Sequence, residues 1–108
     1  MIDINKAQKI ITGVVDCKLL EQDINREGNY LLFEDVDIKN HSNIDYNFTI
    51  FIAIALYNRD KTKIYTKLND SLNQINKSPS LKLIRCSPHG YDGKLLIYKI
   101  NIAVNLIG

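Results

Sequence analysis

The clearest pattern in the chain is a long alternation in residues 45–57, DYNFTIFIAIALY. One set of alternate positions is large and apolar: Phe48, Ile50, Ile52, Ile54 and Leu56. The other set ends in two small residues: Asn47, Thr49, Phe51, Ala53 and Ala55. Successive side chains of a strand point to opposite faces. The stretch therefore predicts a central strand with one face in a core and a second face that another element can approach closely.

The period of the pattern changes directly after this strand, in residues 58–76. Apolar residues now recur at intervals of four, four and three: Ile64, Leu68, Leu72 and Ile75. This spacing is typical of one stripe of an amphipathic helix. Asp60 stands where the N-cap should be, and Pro79 cannot continue the helix. We therefore expect a helix that packs its stripe on the sheet.

A second long alternation ends the chain. Its apolar positions are Leu96, Tyr98, Ile100, Ile102, Val104 and Leu106, and they alternate with Lys99, Asn101, Ala103 and Asn105. This pattern indicates a strand of a sheet that is covered on one side. The preceding LKLIRC is a shorter strand candidate, and the Pro and Gly residues of RCSPHGYDGK predict a hairpin loop between the two strands.

The N-terminal third has a weaker pattern. The spacing of Ile4, Ala7, Ile11 and Val14 predicts a helix with Asp3 as its cap. Periodicity leaves Asp16–Asn29 open between helix and strand. In YLLFEDVDIK, we expect a strand with Leu32, Val36 and Ile38 on one face together with Glu34.

The resulting order of elements is α-β-β-α-β-β. It predicts an α+β two-layer sandwich, in which a mostly antiparallel sheet carries helices on one face. A length of 108 residues predicts one domain, residues 1–108.

Composition and charge disfavour several classes of protein function. Net charge is +2 and the basic residues are scattered, so the basic patch that nucleic-acid binding requires is not apparent. The longest apolar run, residues 50–57, is far shorter than the ~20 residues of a membrane span. Charged and polar residues interrupt the first ten positions, where a signal peptide needs an apolar core, and two cysteines do not make a disulfide framework. We expect a cytosolic protein with reduced thiols that binds neither membranes nor specific nucleic-acid sequences.

The sharpest chemical candidate is the spacing of Cys86, His89 and Asp92 at three-residue intervals. A structural zinc site needs four ligands, and the only other candidates, Cys17 and His41, lie far away in the sequence. A nucleophilic cysteine needs a base oriented by a third group. We expect no metal site, no cofactor and no catalytic residue here.

An acidic group in FEDVDIK is the second candidate. Alternation places Asp35 and Asp37 on one strand face, beside Glu34 in the sequence, where carboxylates could bind a cation or transfer protons. A solvated strand edge, where charge deters aggregation, is the favoured interpretation. The common nucleotide-binding and hydrolase motifs do not occur. The sequence therefore predicts a protein that is not an enzyme.

Three features of the chain resemble the tail terminator, or tail-completion, family of long-tailed bacteriophages and related prophage elements. The first is NFTIFIAIALYNRDKTKIYTKLNDSLNQI, a long apolar strand that leads into a helix through a short charged turn. The second is LKLIRCSPHGYDGKLLIYKINIAVNL, a short strand, a loop with Gly-Tyr-Asp and a long alternating strand. The third is an N-terminal helix followed by a strand pair. Together they cover nearly the whole chain, and the match is poorest at Asp16–Asn29.

The resemblance implies a structural protein of the virion tail that is assembled in the host cytoplasm. Members of the family form a ring, commonly hexameric, on the last ring of the tail tube. The ring stops polymerisation of the tube, provides the surface for the head–tail connector, and has a lumen that DNA can traverse. Partners would be further copies of the chain, the tail tube protein and the connector protein.

An interface between subunits or with a partner is expected at positions on the second face of the central strand and on the predicted loop: Phe51, Ala53, Ala55, His89, Tyr91 and Asp92. Either a helix of the same subunit or a neighbouring subunit should cover this face.

The main alternative is a small cytosolic regulatory or ligand-binding module with a ferredoxin-like sheet. RNA-binding sheets expose aromatic and basic residues together. The polar face of the last strand carries Lys99, Asn101 and Asn105 without an aromatic residue, which disfavours RNA as the ligand.

Overall fold

The computed structural model describes residues 2–55 and 61–106. In chain order the elements are helix α1 (Ile4–Thr12), strands β1 (Lys18–Leu19), β2 (Gly28–Asn40) and β3 (Asn43–Ala55), helix α2 (Lys61–Lys77), and strands β4 (Leu81–Asp92) and β5 (Leu95–Leu106). The strands form one mixed sheet in the order β1-β2-β3-β5-β4, in which only the β1–β2 pair is parallel. The predicted α+β class is confirmed. The predicted order of elements lacks the short strand β1.

Both helices pack on one face of the sheet, which we call the inner face. The central strand β3 supplies most of the large buried side chains of this core: Ile44, Tyr46, Phe48, Ile50, Ile52 and Ile54. The stripe of α2 is confirmed, because Ile64, Leu68 and Ile75 are buried against the same cluster and Leu72 is partly buried there. Leu56 and the predicted cap Asp60 lie outside the described residues.

The start of α1 is attached directly to the central strand. The side chain of Asp3 accepts a hydrogen bond from the backbone N–H of Lys6 at 3.0 Å, which confirms its role as N-cap. The backbone N–H of Asp3 donates to the Tyr46 hydroxyl at 2.8 Å. A buried tyrosine usually finds a partner for its hydroxyl, and here that partner also holds the first helix on the sheet.

A β-bulge in β2 changes which face its residues occupy. Phe33 pairs with Phe48 but Asp35 pairs with Asn47, so Glu34 is an extra residue. The prediction that Leu32, Val36 and Ile38 share a face with Glu34 is therefore wrong. Val36 lies on the inner face, whereas Leu32 packs in an apolar cluster on the opposite face. Simple alternation fails because the bulge shifts the period by one residue.

The predicted hairpin loop RCSPHGYDGK is mostly strand. Strand β4 continues to Asp92, which pairs with Leu95, so the turn consists of Gly93 and Lys94 alone. Gly93 has a φ of +60°, a conformation that side chains disfavour. Shifts of register between Leu83 and Arg85, and again between Pro88 and Gly90, mark two bulges in β4. The Pro and Gly residues thus belong to an irregular strand.

The undecided stretch Asp16–Asn29 is not helical and is mostly irregular, with short strand segments at Lys18–Leu19 and from Gly28 onward. Lys18 and Leu19 form β1, which runs parallel to Tyr30 and Leu31 of β2. The chain then crosses to the face of the sheet opposite the helices, where Leu20 and Ile24 pack. This segment decides how much of that face remains open.

Candidate functional site

The face of the sheet opposite the helices, which we call the outer face, has an apolar half and a polar half. The apolar half is a second cluster of buried residues: Phe51, Ala53, Ala55, Leu95 and Ile97. Leu20 and Ile24 of the crossing segment pack on it, with Tyr30 and Leu32 of β2. The carboxylate of Glu27 accepts a hydrogen bond from the backbone N–H of Ala55 at 2.7 Å. An irregular segment of the same subunit therefore covers this half, in place of the expected helix or neighbouring subunit.

The six residues expected at an interface divide into two groups. Phe51, Ala53 and Ala55 are buried beneath the chain's own crossing segment, so they offer little surface to a partner. His89, Tyr91 and Asp92 are exposed along the last part of β4. Tyr91 is 72% exposed, the largest value among the exposed large hydrophobic residues of the described chain. The His89 ring stands edge-on to the Phe51 ring, with 5.1 Å between the ring centroids. Strand β4 therefore carries the accessible members of the predicted set.

The polar half of the outer face forms an open groove of about 540 Å³. Its floor contains Thr49 and Asn101, which are paired across β3 and β5. Glu34 and Asp35 of β2 line one side of the groove. The other side is lined by Lys99 of β5 and by Ile84 and His89 of β4. Thr49 is only 2% exposed, which makes it one of two buried polar residues in the described chain.

Side-chain hydrogen bonds connect the strands across the groove floor. The Thr49 hydroxyl donates to Glu34 Oε1 at 2.8 Å and accepts from Asn101 Nδ2 at 3.1 Å. Asn47 Nδ2 donates to Asp35 Oδ1 at 2.6 Å. These bonds give the buried hydroxyl its partners and hold the two carboxylates above the sheet.

A second polar group lies farther along the same face, toward the β2–β3 turn. Asn105 Nδ2 donates to Asp45 Oδ1 at 2.6 Å, and Lys39 Nζ lies 3.1 Å from Asp45 Oδ2. The hydrogen bond from Asn105, followed by the bond and the charge of Lys39 and the charge of Lys82, lowers the pKa of Asp45. Asp45 therefore keeps its negative charge at a lower pH than an ordinary aspartate does.

Cys86 and His89 lie on opposite sides of the sheet. Cys86 is paired with the buried inner-face residue Ile100, whereas His89 contacts Phe51 on the outer face. The sheet thus separates the thiol from the imidazole. Burial raises the pKa of the Cys86 thiol, and burial together with the charge of Asp16 raises the pKa of Cys17 to about 11. A nucleophilic cysteine needs a lowered pKa, and the surroundings of both thiols act in the opposite direction.

The acidic residues of β2 share the outer face. Asp35 and Asp37 pair with Asn47 and Asp45, which confirms the predicted alternation, and the bulge adds Glu34 to the same side. Within residues 2–55 and 61–106, no three His, Cys, Asp or Glu side chains come together as a metal-binding group. The carboxylates instead accept hydrogen bonds from neutral side chains and form a charged border of the groove.

Sequence reasoning missed Thr49 and Ile84 as parts of this surface. Thr49 interrupts an apolar strand, and a polar residue in such a place signals a partner across the sheet. Ile84 reaches the groove because it is the extra residue of the first bulge in β4. No signal in the apolar pattern marks that bulge.

Comparison with known proteins finds no matching family model and no matching curated protein. None of the helices in the described ranges is long and apolar enough to cross a membrane.

Proposed function

We propose that this protein is a structural subunit of the tail-terminator type. It would assemble as a ring on the end of a phage tail tube, stop polymerisation of the tube and offer the surface for head–tail joining. The virion tail would then be its final location, with assembly in the host cytoplasm. The proposal makes no use of a catalytic group.

One observation carries the proposal: the outer face exposes charged residues that have no ion-pair partner within the described chain. The Lys39–Asp45 contact is the single ion pair among the residues described, and the carboxylates of the groove bond only to neutral groups. A charged surface held in place without an adjoining catalytic or metal group favours recognition of another macromolecule. The succession of β3, α2, β4 and β5 further supports the resemblance on which the proposal rests.

The alternative of a ferredoxin-like ligand-binding module is less well supported. A ferredoxin-like domain has the order β-α-β-β-α-β, whereas this chain has a single helix between strands in its described part. Small-molecule sites are usually concave and mostly apolar. The groove on the outer face is open and bordered by charges on both sides.

The test is growth of tail tubes from the tail-tube protein encoded in the same genome, with and without this protein. We expect it to bind one end of each tube and to halt elongation, which electron microscopy of tube lengths would show. Equal tube lengths in both samples would show that the terminator assignment is incorrect.

A matched pair of variants sharpens this test. Tyr91→Ala removes the most exposed aromatic residue of β4 and should weaken binding to the tube without lowering the melting temperature appreciably. Ile2→Ala is the control, because Ile2 is 49% exposed and precedes Asp3, which bonds to Tyr46. Tyr46 pairs with Val104 and Tyr91 with Leu96, so the two positions lie toward opposite ends of β5. If both variants weakened binding equally, β4 would not be the contact surface.

A further inference from the structure

Most charged residues on the outer face are sorted by sign toward opposite sides of the sheet. The exceptions are Lys39 of β2, which is paired with Asp45, and Asp92 at the end of β4. The acidic edge consists of Glu34, Asp35 and Asp37 on β2. The basic edge consists of Lys82 and Arg85 on β4 and Lys99 on the adjoining β5. Lys82 and Arg85 pair with outer-face residues Ala103 and Asn101, so the two groups point from the same face. Because β3 and β5 stand between β2 and β4, one side of the subunit is acidic and the opposite side is basic.

Within the described ranges, none of these six charges has an opposite charge at ion-pair distance. The described ranges contain the Lys39–Asp45 ion pair and no other. Glu34 and Asp35 accept hydrogen bonds from Thr49 and Asn47, which are neutral donors. Lys82 acts on the charge of Asp45 without forming an ion pair with it. The charges of both edges therefore have no direct ionic contact in the described ranges and are available to a partner.

In the described sheet, β4 and most of β2 also lack a neighbouring strand at the sheet edge. Strand β1 pairs with Tyr30 and Leu31 only, so the length of β2 beyond Phe33 has no strand beside it in the described sheet. Strand β4 is the last strand on the other side. Bulges interrupt both strands, and Pro88 removes a backbone donor from β4. Such devices oppose the growth of a continuous β-ladder between molecules. A contact between these edges has to be made by side chains.

We propose that the acidic edge of one copy binds the basic edge of a second copy. Each chain carries both halves of a charge-complementary contact on opposite sides, which identifies a second copy as the partner. A contact between two different surfaces of identical subunits is heterologous, and it closes into a ring when the rotation between subunits allows. The contact needs only a second copy, while its closure into a ring rests on the proposed function. Ile84 is 54% exposed beside Arg85 and adds an apolar contact to the basic edge.

Charge reversal provides the test, with sedimentation velocity of the full chain as the measurement. Asp35→Lys with Asp37→Lys makes both edges basic and leaves the bond between Thr49 and Glu34 in place. Lys82→Glu with Arg85→Glu makes both edges acidic. All four residues are exposed, so the variants should fold like the natural chain.

The natural chain should self-associate at about 20 mM salt, and its Kd should rise at least about tenfold at about 500 mM salt, where exposed charges are screened. Each double reversal should raise the Kd at low salt by at least about tenfold. The fourfold variant should associate again, and an equimolar mixture of the two double variants should associate because each then meets an oppositely charged edge. Restoration of this kind is not expected if the residues act only on folding.

The control reverses two exposed charges of the helix layer, Lys63→Glu and Asp70→Lys, and should leave association unchanged. A natural chain that stays monomeric up to about 1 mM at low salt would overturn the proposal. So would association of either double variant at the natural strength, or a folded fourfold variant that fails to associate. If the double variants still halted tube growth, this contact would be wrong while the terminator function stood. If association depended on the edges but tubes grew unchecked, the terminator function alone would fail.

Discussion

Replacing Leu68 with Ala tests whether the α2 stripe is the main contact between helix and sheet. Leu68 is 5% exposed and belongs to the inner-face core. Removing three buried carbons costs about 0.8 kcal/mol each in transfer free energy, and the remaining cavity raises the total to about 2.5–4 kcal/mol. The better helix propensity of Ala recovers only a few tenths of a kcal/mol. This loss is a large fraction of the roughly 5–15 kcal/mol by which a domain is stable.

Urea unfolding followed by circular dichroism would measure the effect. With a slope of about 1–3 kcal/mol per molar urea, the midpoint should fall by roughly 1 M or more while the slope is unchanged. Asn69→Ala is the matched control, since Asn69 is the next residue of the helix and is exposed. It should change the stability by less than about 0.7 kcal/mol, in the stabilising direction. A cost below about 0.5 kcal/mol for Leu68→Ala would refute the packing of this stripe on the sheet.

Two further predictions concern titration. The first concerns alkylation of Cys17, followed by mass spectrometry in a Cys86→Ser background. The alkylation rate should be low at neutral pH, because the thiol stays protonated, and should keep rising up to about pH 11. A rate that levels off below pH 8 would contradict the raised pKa. Since this pKa lies above the ordinary 9.0, the associated stability is present below pH 9 and is lost as the pH rises toward about 11. Asn105→Ala should raise the pKa of Asp45 toward its ordinary 3.8 in a carboxylate NMR titration, because the largest cause of the lowering is removed. An unchanged pKa would assign the effect to Lys39 and Lys82. The folded-state pKa of Asp45 is lowered, so its contribution is present above pH 3.8 and is lost as the pH falls, and the variant should lose less stability in acid.

The sequence predicts most of the inner-face core and little of the outer face. The alternation in β3 and β5 and the stripe of α2 are long enough to define their buried sides without knowledge of neighbours. The Asp3 cap is likewise local, since its carboxylate bonds to an N–H three residues away. These features depend on short-range geometry, which can be inferred from the spacing of apolar and polar residues in the sequence.

The wrong predictions about strand faces arise where one strand of a pair has an extra residue. The bulges at Glu34, Ile84 and His89 each shift the alternation by one, and pairing with a distant strand determines their positions. The cover of the outer face was missed for a related reason. Leu20 and Ile24 have no strong period, and only the fold brings them onto Ala53 and Ala55. The separation of acidic and basic residues to opposite edges likewise depends on the strand order, which cannot be inferred from the pattern of the sequence.

The bulge at Glu34 also determines where β2 can tolerate a change of length. Pairing continues from Phe33 with Phe48 to Asp35 with Asn47, so loss of Glu34 would leave a regular ladder with the same residues buried on both sides. Loss of one residue from a bulge-free part of a strand would instead turn every following side chain to the opposite face. A natural deletion at this position would therefore straighten the strand and leave the inner-face core intact, while removing the carboxylate that accepts the hydrogen bond of Thr49. The β2 strand can thus vary in length at the acidic edge without turning its other side chains to the wrong face.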